Sequence, residues 1–277
     1  MRRDKAKNRM GLLVFVGIAA IILYHFLSGD RWLFLSPPPL HYLSVNFTYW
    51  LVAGSGLLSV LSSSAFYYIF LGLVPAMIVL HRYAPVAWLF SALLAAYMIT
   101  FNALAGHHYH SMVAAFAVTV PFWFRDEKAF WIVFSGVRFY ACFFFASAAL
   151  WKIWRGSVFD HGHVANLIQL EYANLLTAHP DGFAARVLLL IIDNPWIGDV
   201  LFGMVVLIQL AFAVGFFTGR FDTLLLLLIV VFIAGNYIFF HVASWEVLIF
   251  ALCFVRPRWL QASGRGGSKT TDVAGGP

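Results

Sequence analysis

Lys152 closes the apolar run FYACFFFASAALW and is flanked by Trp151 and Trp154. A lysine at such a boundary can snorkel, keeping its stem in hydrocarbon and its head in water. It can also stay partly desolvated and serve as a base or nucleophile near neutral pH. The paired tryptophans suit an interfacial belt under either reading. Arg138, just before that run, lies about nine residues into the span expected at 129–151, ~14 Å deep at ~1.5 Å per residue. A charge near mid-membrane costs at least ~2.5 kcal/mol on insertion scales, so it requires a partner. That partner is either another group of the bundle or a ligand headgroup or quinone oxygen.

The histidines form three groups. GHHYHS (106–111) holds His107, His108 and His110, and His107 and His110 share a face if a helix begins early. Metal binding, proton transfer and plain interfacial hydrogen bonding all stay open for this group, and no metal site is assigned. His161 and His163 in DHGH would add ligands. FFHVASWE (239–246) places His241 at the end of one apolar run and Glu246 early in the next. They form either a structural hydrogen bond or an acid/base pair.

Elements that must position these groups follow from composition. Of 277 residues, 62% are hydrophobic and 11% charged, with a mean hydropathy of +0.84. Soluble domains carry about 25% charge. Apolar runs near 20 residues match helices crossing ~30 Å of hydrocarbon. Strand-period alternation is absent, so the expected fold class is all-α: a polytopic transmembrane helical bundle. About eight spans are expected, at 11–28, 64–81, 86–105, 111–124, 129–151, 198–218, 222–240 and 243–255. The stretch 41–62 is apolar but carries Gly54, Gly56 and several serines. It reads as interfacial or re-entrant rather than as a ninth span.

Charge fixes the orientation. The basic N-terminus, HRYAP (81–85), FRDEK (124–128), TGRFD (218–222) and RPRW onward fall on one side, each with Arg or Lys. The positive-inside rule makes that side cytoplasmic, with both termini there. Lys152 and nine of the ten histidines then lie on or near the opposite side, with His81 the exception. The net charge of +6 reflects these loops and ends, not nucleic-acid binding. Domain organisation is a basic N-terminus (1–10), a transmembrane domain (11–260) and a disordered Gly/Ser-rich tail (261–277). The N-terminal apolar stretch lacks a small-x-small cleavage site and reads as a retained span. Cys142 and Cys253 fall inside spans and read as buried free thiols. The longest outer segment, 152–197, should hold an amphipathic helix at about 163–178, preceded or capped by Asp160. Val164, Leu167, Ile168 and Leu175 share its apolar face. Glu171 falls on that face too, as a buried neutral carboxyl or an acid/base group.

The run VRFYACFFFASAALWKIWRGSVF resembles a segment of the HTTM-domain family, the vitamin K-dependent γ-carboxylase-like membrane proteins. The matching positions are Arg138, Tyr140, Ala146, Lys152, Trp154 and Gly156. GHHYHS is similar to the family's Asn-His-Tyr-Tyr motif at His108 and Tyr109, and His241 resembles a His in a late span. The resemblance covers about 10–255. It implies Lys152 as base, and Arg138, Tyr109 and Trp154 beside a reduced quinone handled at the extracytoplasmic face. Two features depart from the carboxylase. The Lys-to-Trp spacing is short, and only about 45 residues at 152–197 stand where a large substrate-recognising domain would be.

The leading functional expectation is an enzyme of a bacterial inner (cytoplasmic) membrane. It would act on a secreted peptide or a lipid-soluble, quinone-like substrate, with Lys152 as base and His108, His241 and Glu171 assisting. The alternative is a non-catalytic accessory or anchoring subunit, its aromatic surface (29 Phe, 10 Trp, 11 Tyr) docking on other membrane-complex subunits or on the lipid bilayer. A transporter would predict a repeat, and none is seen.

Overall fold

The computed structural model describes residues 2–27, 55–56, 59–60, 63–105, 110–178, 180–240 and 245–255. Among these residues every regular element is helical. The first five helices are α1 (Arg2–Leu27), α2 (Ser64–Leu80), α3 (Ala84–Ala105), α4 (His110–Thr119) and α5 (Glu127–Trp154). Three short helices follow: α6 (His163–Glu171), α7 (Ala173–Ala178) and α8 (Phe183–Asp193). The chain then forms α9 (Pro195–Ala211) and α10 (Asp222–Phe240). Tighter 3-10 turns cover Val120–Trp123, Phe212–Phe216 and Trp245–Phe254.

Local chemistry sets the ends. Asp126 caps α5 by accepting from Ala129 N at 2.8 Å, and Ser63 caps α2 by accepting from Phe66 N at 3.2 Å. Pro195 opens α9, where its missing N–H costs nothing. Pro121 lies in the 3-10 turn that follows α4.

Among the described residues, four segments are long and apolar enough to cross a membrane: Lys5–Tyr24, Glu127–Trp154, Pro195–Phe216 and Asp222–Phe239. Four shorter apolar helices lie at Tyr68–Leu80, Ala84–Met98, Val113–Trp123 and Trp245–Phe254. The main core is aromatic, with Phe15, Phe90 and Phe122 packed edge to face and Phe145 stacked on Phe212 at 4.3 Å. The 3-10 segment Trp245–Phe254 is largely buried and packs on α1, α4, α5 and α10. At Gly215 a Cβ would overlap Cys142 Sγ, so only glycine lets Phe212–Phe216 lie this close to α5. Cys142 and Cys253 are both buried and free.

A second, smaller core joins α6, α8 and α9 through Val164, Ile168, Leu188 and Ile191. Here the structure corrects the expected single helix at 163–178. The chain breaks at Tyr172, whose N–H still bonds Ile168 O at 3.0 Å, and restarts as α7. Leu167 is 46% exposed rather than on the inner face. Asp160 does not cap α6. The N-cap is Gly162, whose φ of 77° is the left-handed conformation glycine adopts without strain.

Candidate functional site

Lys152 lies in the last turn of α5, but its head does not reach for the helix end. Side chains on an α-helix lean toward its N-terminus. The Lys152 Nζ follows that lean, donating to Gln209 Oε1 at 3.0 Å and pointing to Ala148 O at 3.4 Å. Gln209 sits on α9 and is only 4% exposed. It is fourteen residues beyond Pro195, so it lies about 21 Å along α9 at ~1.5 Å per residue. The ammonium is therefore drawn toward α9 rather than out past the helix end. An ammonium carries three N–H groups. Two of these have acceptors among the described residues.

Around this lysine the helix end is fixed by backbone and aromatic contacts. Arg155 N bonds Trp151 O at 2.9 Å, and its guanidinium lies 4.8 Å from the Trp151 ring centre. Ser157 Oγ donates to Lys152 O at 3.1 Å. Trp154 is 85% exposed and lies about 200° around the helix from Lys152. The structure does not bring the two side chains together.

Arg138 is held from all sides. Its Nε and Nη2 donate to Asp222 Oδ1 at 3.0 and 2.6 Å, Nη1 to Gly215 O at 3.0 Å, and Nη2 to Thr218 O at 3.1 Å. Both side chains of the ion pair are 13% exposed. The guanidinium also lies 5.4 Å from the Phe139 ring centre and 5.7 Å from that of Phe254. The partner expected of Arg138 is thus Asp222, the first residue of α10. The turn between Phe216 and Asp222 consequently sits against the twelfth residue of α5, well along that helix rather than at its start.

A third polar contact lies past the end of α5. His161 Nδ1 pairs with Asp199 Oδ2 at 2.5 Å, and Gly162 N donates to Asp199 Oδ1 at 3.1 Å. His163 Nδ1 lies 3.4 Å from Asp160 Oδ2, its ring against Phe202. Among the described residues no three His, Cys, Asp or Glu side chains are grouped to hold a metal ion.

His108, Tyr109 and His241 lie outside the described residues. Glu171 is the last residue of α6, and Glu246 is 3% exposed within the segment Trp245–Phe254. Sequence reasoning missed Gln209, Asp222 and Asp199. Gln209 carried a signal: it is a lone amide in the apolar run VVLIQLAF, and polar groups at such depth have partners. No family model, curated protein or solved structure matches this chain. The fold and its apolar helices define a helical protein suited to a lipid bilayer.

Proposed function

We propose that this chain is an eight-span membrane protein whose Lys152 binds and exchanges a proton with an oxygen-bearing, lipid-soluble substrate of the quinone class. Both termini lie in the cytoplasm, and the membrane is a bacterial inner membrane. The reading follows the resemblance to the membrane domain of vitamin K-dependent γ-carboxylase. His108, His241 and Glu171 are the proposed assisting groups, since the positive-inside orientation puts their sequence segments on the same side as Lys152. A secreted peptide is the other substrate in keeping with an outward-facing site.

One observation carries it: Lys152 is drawn into the bundle by a neutral amide. Arg138, by contrast, is matched to a carboxylate and two carbonyls. A lysine bonded to an amide oxygen can release its proton without separating an ion pair. Its third N–H suits a quinone carbonyl or phenolate oxygen.

The test is binding of a short-chain ubiquinone analogue to the protein in nanodiscs, read by tryptophan quenching. Lys152→Met should weaken binding at least tenfold, and Lys152→Arg should restore part of it. Undiminished binding by Lys152→Met removes the proposal. The accessory-subunit reading is favoured by the neutralisation of Arg138 within the chain by Asp222, which suits a scaffold. Fixed-stoichiometry copurification of other membrane subunits, with no quinone bound, would support it.

A further inference from the structure

The segment from Arg155 to Asn194 has already built its own core, yet large apolar side chains remain outside it. Val164, Ile168, Leu188 and Ile191 face inward. Phe159 is 78% exposed, Leu170 81%, Phe183 76% and Leu190 53%. On α8 the inner face is Ala185, Leu188 and Ile191, and Phe183, Arg186 and Leu190 form the opposite stripe. A water-facing surface seldom carries so many bare large apolar groups.

Both ends of the segment join outward-facing stripes of membrane-length helices. On α5, Phe143 and Leu150 are exposed and lead to Trp154 at i+4. On α9, Trp196 leads into exposed Val200, Met204 and Leu207. The bare surface of the segment is therefore continuous with the faces that α5 and α9 turn to lipid. Tryptophan at each junction is what an interfacial level selects. Charge does not favour an anionic surface. The segment carries Arg155 and Arg186 against Asp160, Glu171, Asp181 and Asp193, a net charge of −2 with histidines neutral. Its attraction to a membrane is apolar.

We propose that α6, α7 and α8 lie embedded in the bilayer interface as an amphipathic cap. Phe183, Leu190 and Leu170 are immersed among acyl chains and glycerol groups rather than in water. The cap neither spans the membrane nor projects from it. It closes the end of the bundle where α5 stops and α9 begins.

The experiment places a nitroxide at Leu170→Cys and, separately, at Phe183→Cys, both exposed sites that tolerate a label. The native cysteines are buried, and the unlabelled chain is the control. In phosphatidylcholine nanodiscs, collision with oxygen should exceed collision with a water-soluble nickel chelate several-fold at both sites. The ratio should hold when phosphatidylglycerol is added, since the segment is net acidic. Dominant nickel collision at both sites would overturn the proposal, because the surface then faces water. Shielding from both reagents would also overturn it, because protein, such as a docked basic peptide, then covers the surface.

Discussion

Lys152 Nζ lies 3.0 Å from Gln209 Oε1, one of the polar contacts that join α5 and its following turn to α9, the turn beyond it and the start of α10. Arg138 meets Gly215, Thr218 and Asp222 at one end, and His161 meets Asp199 at the other. The three differ in charge balance. Arg138 is neutralised by a carboxylate, His161 faces one, and Lys152 has an amide. This difference ranks what each can do. A neutralised cation holds helices together, whereas a cation on a neutral acceptor can still engage a ligand.

Removing the carboxylate tests the first contact. Asp222→Ala leaves Arg138 inside the fold with backbone carbonyls as its acceptors. Breaking one side of a fully buried pair costs about 3–5 kcal/mol, and this part-buried one should lose less than that. The variant should melt well below the parent in detergent, followed by circular dichroism. Asp222→Asn, which keeps an acceptor oxygen, should lose less. A melting temperature unchanged in Asp222→Ala would show that the pair does not secure the turn before α10.

The close approach at Gly215 makes a second prediction. Gly215→Ala drives a methyl into Cys142 Sγ and to within 3.0 Å of Leu225 Cδ1. Overpacking of this kind costs about 1–3 kcal/mol. Adding Cys142→Ala removes the sulfur and should recover much of the loss. If the double variant is no more stable than Gly215→Ala alone, the helix spacing is set elsewhere.

At the contact past the end of α5, the prediction is of a small effect. His161 is 76% exposed at its side chain, so its pair with Asp199 is solvent-screened. Exposed pairs contribute about 0–1 kcal/mol. His161→Gln should therefore leave the melting temperature nearly unchanged. Asp199→Ala should cost more, because it also strips the acceptor from Gly162 N at the start of α6. Equal losses in the two variants would contradict that division.

The sequence makes the apolar helices legible because hydropathy is a property of each run taken alone. The fold adds what depends on distant partners. Arg138 and Asp222 are 84 residues apart, and nothing local in TGRFD marks its aspartate as a partner rather than a loop acid. The direction of Lys152 was hidden for the same reason, since it depends on an amide 57 residues away. The break at Tyr172 was obscured because VANLIQLEYANLL keeps apolar residues at helical spacing on both sides of it. The stretch Trp245–Phe254 reads from its apolar run as an ordinary helix, whereas the structure winds it as a buried 3-10 segment packed on α1, α4, α5 and α10.

A double-variant cycle separates a structural lysine from a functional one. Gln209→Leu alone leaves the Lys152 ammonium without its amide acceptor, at a cost of about 1–3 kcal/mol for an unsatisfied buried polar group. Lys152→Met alone leaves the Gln209 oxygen unmatched and should cost a similar amount. Replacing both with apolar groups of similar shape removes the mismatch, so the double variant should regain most of the parent's stability. If Lys152 only braces α5 against α9, the double variant is a complete substitute in every assay. If Lys152 holds a substrate oxygen, the double variant melts like the parent and still fails to bind the ubiquinone analogue. Thermal melting and tryptophan quenching on the same four proteins therefore distinguish the two roles, and recovery of stability with retained binding would reject the functional one.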